Sequence, residues 1–241
     1  MIQVLPAYTS DAALLEDLDM TFQIALVGND GVVVASDRLF VERGLAGHLA
    51  TLRHSFQRQT ATKIHESHDK KVVCAYAGGP YAETIARRIV TGCNPAQLSD
   101  VEWRNRLELA IKEVNDYADN TVDEILVCRT DQLSVLKITR QRNEDPGFMA
   151  ITEFACSGVD SHARVLPKIS WGVDMDLAQL SHLAAVTIAH AHEEFPSLVG
   201  GGADILTIDK MGHIEKKQFT QEEIDRTRID FSRKIREVIF Q

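Results

Sequence analysis

Long apolar runs are missing from this sequence: nowhere do 18 hydrophobic residues follow one another, the length that a membrane helix needs. Residues 1–19 hold Asp11, Glu16, Asp17 and Asp19 and no basic start, so the pattern of a secretory signal is missing too. A soluble, cytoplasmic protein with no membrane partner is expected. Cationic excess is also lacking. The 26 Lys and Arg are outnumbered by 35 Asp and Glu, a formal charge of −9, and phosphate binding needs clustered cations, so a nucleic-acid partner is not expected. Four cysteines, Cys74, Cys93, Cys128 and Cys156, show no CxxC spacing. Three of them sit in apolar strand-like runs, which reads as buried free thiols in a reducing compartment rather than metal ligands or disulfides.

Other signatures stop short. His65 and His68 have HxxH spacing, but on a strand they point to opposite faces. Gly200-Gly201-Gly202 is not followed by GK[ST] and precedes a strand, so it reads as a turn rather than a phosphate cradle. Neither a metal nor a cofactor is expected.

What the sequence does contain is enough apolar material, 44% of 241 residues, for one full core, and no low-complexity tract or repeat divides it. Phe22, Ile24 and Leu26 alternate with Gln23 and Ala25, and Val32 to Ala35 is a second extended run. A three-residue loop, Asn29-Asp30-Gly31, would close them as a hairpin. Gly28 would then face Val32, and Asp37 would lie opposite Gln23, diagonal to Thr21 on one face. A two-residue loop would move Asp37 to the other face unless a bulge intervened.

A second hairpin is expected from Lys63 to His68 and Lys71 to Ala77, followed after Gly78-Gly79-Pro80 by a helix from Tyr81 to Thr91. Ser99 with Glu102 forms a capping box for a helix reaching Tyr117. Strands are expected at Glu124 to Cys128, Leu133 to Ile138 and Met149 to Cys156, and helices at Ser161 to Ile169 and Asp176 to Glu194. A hairpin around Met211-Gly212 and a last helix opened by Thr220-Gln221-Glu222-Glu223 complete the chain. Hairpin-linked strands with paired helices between them predict an α+β protein, a four-layer αββα sandwich with antiparallel sheets.

Thr21, "VVVASDR" ending in Asp37 and Arg38, Lys63 opening "KIH", and "CAYAGG" together resemble the amino-terminal core of proteasome β subunits and of HslV, the bacterial two-ring peptidase. These are N-terminal nucleophile hydrolases. The fifteen-residue interval from Lys63 to Gly78 is closer to HslV, and "ACSGVDSHA" is similar to the family's Gly-Ser-Gly segment, which places Ser157 near the site. The resemblance covers roughly residues 20 to 215.

The resemblance implies a threonine-type endopeptidase that cleaves polypeptides through an acyl-enzyme on Thr21. The base would be the α-amine of Thr21, Lys63 would lower its pKa, Asp37 would orient Lys63, and the backbone amide of Ala75 would face the oxyanion. Phe40 and Val41 would line the bound peptide, and Val73 would shape the first specificity pocket. A homo-oligomer of two stacked rings of six or seven subunits, served by a hexameric AAA+ unfoldase, is implied with it. Residues 1–20 would be a leader removed by self-cleavage, or translation would begin at Met20; residues 21–241 would be the single catalytic domain.

The sequence also departs from that family. About ten extra residues separate Asp37 from Lys63, in "FVERGLAGHLATLRHSFQRQ" with Arg43, Arg53 and Arg58, which reads as a longer loop beside the site or a surface excursion. Phe40-Val41 stands where Ala-Thr is frequent, and "EEFPSLVGGGAD" replaces Asp-x-x-Ser-Gly-Gly, with Glu194 and Ser197 keeping the acid-to-serine spacing. Two rival readings stay open: a catalytically silent scaffold subunit, and an amidohydrolase for small amides.

Overall fold

In a computed structural model, the chain is described at residues 21–43, 56–78, 80–96, 98–114, 123–141 and 144–239. The expected leader at 1–20, Arg53 and Gly79 lie outside those residues.

The first hairpin pairs β1 (Phe22–Val27) with β2 (Gly31–Asp37). Gly28 N donates to the Gly31 carbonyl at 2.9 Å, so the loop is the two residues Asn29-Asp30 and not three. Gly31 is a strand residue. A Cβ there would stand 2.2 Å from the Ile208 carbonyl oxygen, so glycine is required for close approach to a neighbouring strand and not for a positive φ in the turn. The register follows: Gln23 faces Ser36, and its continuation sets Asp37 opposite Phe22 instead of Gln23.

The stretch beyond Asp37 is not a loop throughout. β3 (Leu39–Arg43) and β4 (Phe56–Thr60) form a separate antiparallel ribbon. Next come β5 (Ile64–Glu66), β6 (Val72–Ala77), α1 (Pro80–Gly92) and α2 (Asp100–Lys112), the last opened by the Ser99–Glu102 capping box. β7 (Asp123–Arg129) and β8 (Ser134–Arg140) follow. Met149 to Cys156, read as one strand, is two: β9 (Gly147–Ile151) and β10 (Phe154–Gly158). A 3-10 turn at His162–Arg164 leads into α3 (Val165–Ser170) and α4 (Leu177–Glu194), then β11 (Ala203–Asp209), β12 (Ile214–Phe219) and α5 (Gln221–Ile239).

Among the described residues two five-stranded antiparallel sheets result, ordered β10-β1-β2-β11-β12 and β5-β6-β7-β8-β9. β9 and β10 belong to different sheets, so the chain changes sheet at Thr152-Glu153. Three buried clusters hold the elements. Phe22, Ile24 and Leu26 pack on Leu180, Ala184 and Ile188 of α4. Cys74, Ile125 and Val127 pack on Ile85 and Ile89 of α1 and Leu107 and Ile111 of α2. Ala25, Val34 and Leu206 meet Val73, Leu126 and Cys128 between the sheets.

The four-layer αββα sandwich is therefore corrected to an α+β fold that, among the described residues, has two antiparallel sheets and five helices, with the β3–β4 ribbon apart from both sheets. Element order did not disclose how helices and strands divide. α3 has only six residues, α5 packs chiefly on α4, and one expected strand is split between sheets. Among the described residues no helix is long and apolar enough to cross a membrane.

All four cysteines are free thiols, three of them buried. Burial pushes Cys128 up to about 12 and Cys74 well above the ordinary thiol value. Because the thiolate is the reactive form, brief N-ethylmaleimide treatment of the native protein near neutral pH should leave Cys74 and Cys128 unmodified, and urea should expose both. Rapid labelling of either in the native protein would show that the sheet packing is misplaced.

Candidate active site

The centre of the candidate site is the Asp37 carboxylate at the end of β2, which is fully buried. Its Oδ1 accepts from the Phe22 amide at 3.0 Å and from Lys63 Nζ at 2.9 Å. Its Oδ2 accepts from the amides of Leu39 at 3.2 Å and Gly200 at 3.1 Å. Burial raises the Asp37 pKa, and the Lys63 ammonium with the Phe22 and Gly200 amides pull against that rise. Four donors on two oxygens describe an ionised carboxylate, since a proton on either oxygen would displace one of them.

Lys63 is as buried as its partner, at 2% exposure. It precedes β5, and its carbonyl accepts from the Tyr76 amide at 3.2 Å, which fixes the root of the side chain on the second sheet. The Lys63–Asp37 pair therefore ties one sheet to the other. Because Oδ1 also holds the Phe22 amide, the ammonium stands one shared oxygen away from the peptide joining Thr21 to Phe22. Thr21 is buried, and its carbonyl accepts from the Val159 amide at 2.9 Å.

Ser157 lies on β10 directly across from Gln23, fully buried, and among the described residues its hydroxyl has no hydrogen-bond partner. Gly158, opposite Phe22, has φ +88°, and a Cβ on it would sit 1.8 Å from the Thr21 carbonyl oxygen, so no other residue fits against Thr21 there.

The other expected residues lie on β6 and β3. Ala75 and Val73 are fully buried in β6 within the cluster between the sheets, where Val73 faces Cys128 and Glu66 in register. Phe40 is exposed on β3, and Val41 is paired in register with Arg58. Glu194 does not meet Ser197: its Oε2 accepts from Ser161 Oγ at 2.7 Å and the His162 amide at 2.8 Å, which caps the 3-10 turn.

The Gly200 amide, read in the sequence only as part of a turn, is a ligand of Asp37. Three consecutive glycines were the available signal. Glu124, whose Oε2 accepts from the Gly158 amide at 2.6 Å, left no signal at all, because a lone acid at the start of a strand is ordinary.

With this geometry in place, solved structures supply the comparison. They are Anbu proteins. An Anbu described as an ancestral beta-subunit, from Yersinia bercovieri, superposes with a TM-score of 0.69 at 14% identity, covering 92% of this chain and 97% of that one. Anbu from Hyphomicrobium sp. strain MC1 gives 0.66 at 14% identity, with the same coverage. A helical assembly of the Anbu complex from Pseudomonas aeruginosa gives 0.61 at 13%, covering 91% and 95%. No family's sequence profile matches the chain, and no curated protein matches it.

The resemblance to proteasome β subunits and HslV is corrected accordingly: the structural likeness is to Anbu, a proteasome-like but distinct family. At these identities the likeness establishes the fold alone. The spacing of Thr21, Asp37, Lys63 and Gly78 did not point to Anbu, because four residues and the intervals between them sample a small part of a likeness that extends over 92% of the chain. Among the described residues no cluster of three metal-binding side chains occurs.

Removing one member of the Asp37–Lys63 pair takes from the other its buried counter-charge, a loss of about 3–5 kcal/mol. Asp37→Asn and Lys63→Met should each lower urea stability by that order. The double variant should cost less than the sum of the two, a coupling that an unfolding double-mutant cycle measures directly.

Proposed function

We propose that the chain is a proteasome-related threonine peptidase subunit with Thr21 as its nucleophile. The observation that carries this reading is the buried Lys63–Asp37 pair, whose shared Oδ1 also holds the amide next to Thr21. A threonine hydroxyl needs a base, and the α-amine of Thr21 serves once the bond to Met20 is broken. An ammonium nearby disfavours the protonated amine and keeps its lone pair available near neutral pH. The Thr21 hydroxyl then attacks a peptide carbonyl, the amine carries the proton to the leaving nitrogen, and water hydrolyses the resulting ester. No cofactor is required for these steps.

In this reading Ser157 gains a partner for its unpaired hydroxyl when the amine is released, and the Ala75 amide faces the oxyanion. A peptide substrate would lie along β3, whose second edge carries no strand among the described residues, with Phe40 and Val41 beside it and Val73 beneath. Residues 1–20 are the segment that must be removed, and residues 21–241 form the working domain. Homo-oligomerisation belongs to the same reading. The Pseudomonas neighbour is a helical assembly, and electron microscopy of this chain would distinguish a helix from stacked rings of six or seven. Docking of a hexameric AAA+ unfoldase, and a cytoplasmic setting, are further parts of the proposal.

A silent scaffold is the competing reading, favoured by one observation: the two-residue turn sets Asp37 opposite Phe22, so strict alternation puts its Cβ on the other face from Thr21. Two measurements decide between them. Intact mass of purified protein should show loss of everything before Thr21. A peptide epoxyketone, which needs both the hydroxyl and the amine of an N-terminal threonine, should then add once per subunit and stop fluorogenic peptide cleavage. Thr21→Ala should reduce turnover by at least about a thousandfold, the order lost when a nucleophile is removed. Retention of residue 20, or parental turnover in Thr21→Ala, would sink the peptidase reading.

A further inference from the structure

The Glu124–Lys137 pair occupies a costly place. Leu126, two residues beyond Glu124 on β7, belongs to the apolar cluster between the sheets, and Lys137 of β8 faces Leu126 in register. Glu124 and Lys137 are thus diagonal neighbours on the side of their sheet that looks at the other sheet. Their side chains are 18% and 14% exposed, and the two are ion-paired. Charges taken that far out of water need specific partners to offset desolvation.

The partners converge on one short stretch. Glu124 Oε2 accepts from the Gly158 amide at 2.6 Å, and Lys137 Nζ donates to the Cys156 carbonyl at 3.0 Å. The Glu124 carbonyl accepts from Gln23 Nε2 at 3.0 Å, which adds the strand that carries Thr21. Between the two anchored residues of β10 lies Ser157. Immediately after them, Val159 N binds the Thr21 carbonyl, and Gly158 packs against that same oxygen too closely to admit a Cβ. Any shift of Gly158 therefore moves the donor that holds Thr21.

We propose that Glu124 and Lys137 are positioning residues: a charged clasp on the second sheet that presses the Ser157–Val159 segment onto Thr21 and sets the nucleophile's orientation. A pair serving only to join the sheets would have no reason to place its contacts on both sides of Ser157. The role rests on the reading of Thr21 as nucleophile, while the clasp itself is tested without it.

Hydrogen–deuterium exchange of the Gly158 and Val159 amides reads the clasp directly. In Glu124→Ala, which removes the acceptor, these amides should exchange at least tenfold faster, with those of Ile85 to Ile89 in α1 unchanged. Lys137→Met should give the same local pattern through loss of the Cys156 anchor, and it decides the matter if Glu124→Ala does not fold. Unchanged exchange, or an equal rise throughout the protein, would overturn the clasp. Peptide hydrolysis reads the positioning role. Both variants should lose about tenfold in kcat with KM within twofold, and Lys137→Arg should recover most of the loss; local exchange with an unaltered kcat would overturn that role. A parent protein that forms no epoxyketone adduct would refute the peptidase reading instead, and the exchange result would still stand or fall by itself.

Discussion

One buried carboxylate collects donors from four parts of the chain. Asp37 accepts from Phe22 at the start of β1, Leu39 at the start of β3, Gly200 in the turn after α4 and Lys63 at the root of the second sheet. An ionised, wholly shielded carboxylate accepts all four donors and strengthens each bond, whereas an amide in its place would present its own N–H groups to some of them. Asp37 thereby links the two sheets beside Thr21.

The inter-sheet space changes character beside it. One row across the first sheet, Ala155, Ala25, Val34 and Leu206, is apolar and packs on the second sheet. Two residues nearer Thr21, the next row on that face is Ser157, Gln23, Ser36 and Asp204, all fully buried. Within it the Ser157 hydroxyl, Gln23 Oε1 and both Asp204 oxygens have no hydrogen-bond partner among the described residues, although Asp204 lies near Lys216 and Arg38 as ion pairs at 3.4 and 3.6 Å. Incomplete satisfaction of buried polar groups is unfavourable, and it is concentrated at the end of the sheet that carries Thr21. The apolar clusters on either side supply the stability that offsets it.

This arrangement explains why the site and the fold are hard to separate. Lys63 and Asp37 come from different sheets, the Gly158 segment is held by Glu124 of the opposite sheet, and β10 itself reaches the first sheet only because the chain crosses after β9. A peptidase centre built so would be assembled by sheet packing rather than by any one loop, and its geometry would be as rigid as the core.

Local chemistry was legible in the sequence. Alternation in Phe22 to Leu26 and the Ser99–Glu102 and Thr220–Glu223 capping boxes are short-range effects, and the structure contains each of them. The association of Asp37 with Lys63 was expected only through the resemblance to proteasome β subunits and HslV, and the structure pairs the two side chains. The two-residue turn was not, because Gly31 is required by the Ile208 carbonyl of a strand more than 170 residues later, and nothing near Gly31 distinguishes that need from a turn. Nor were the split between β9 and β10, the β3–β4 ribbon, or the Gly200 and Glu124 contacts, all of which depend on partners distant in the chain. Sequence determined which segments extend or coil, since backbone preference and side-chain period act over a few residues. Only the tertiary structure decided which strands share a sheet and which donors reach Asp37, because burial and charge pairing are settled by whatever surface comes to lie opposite.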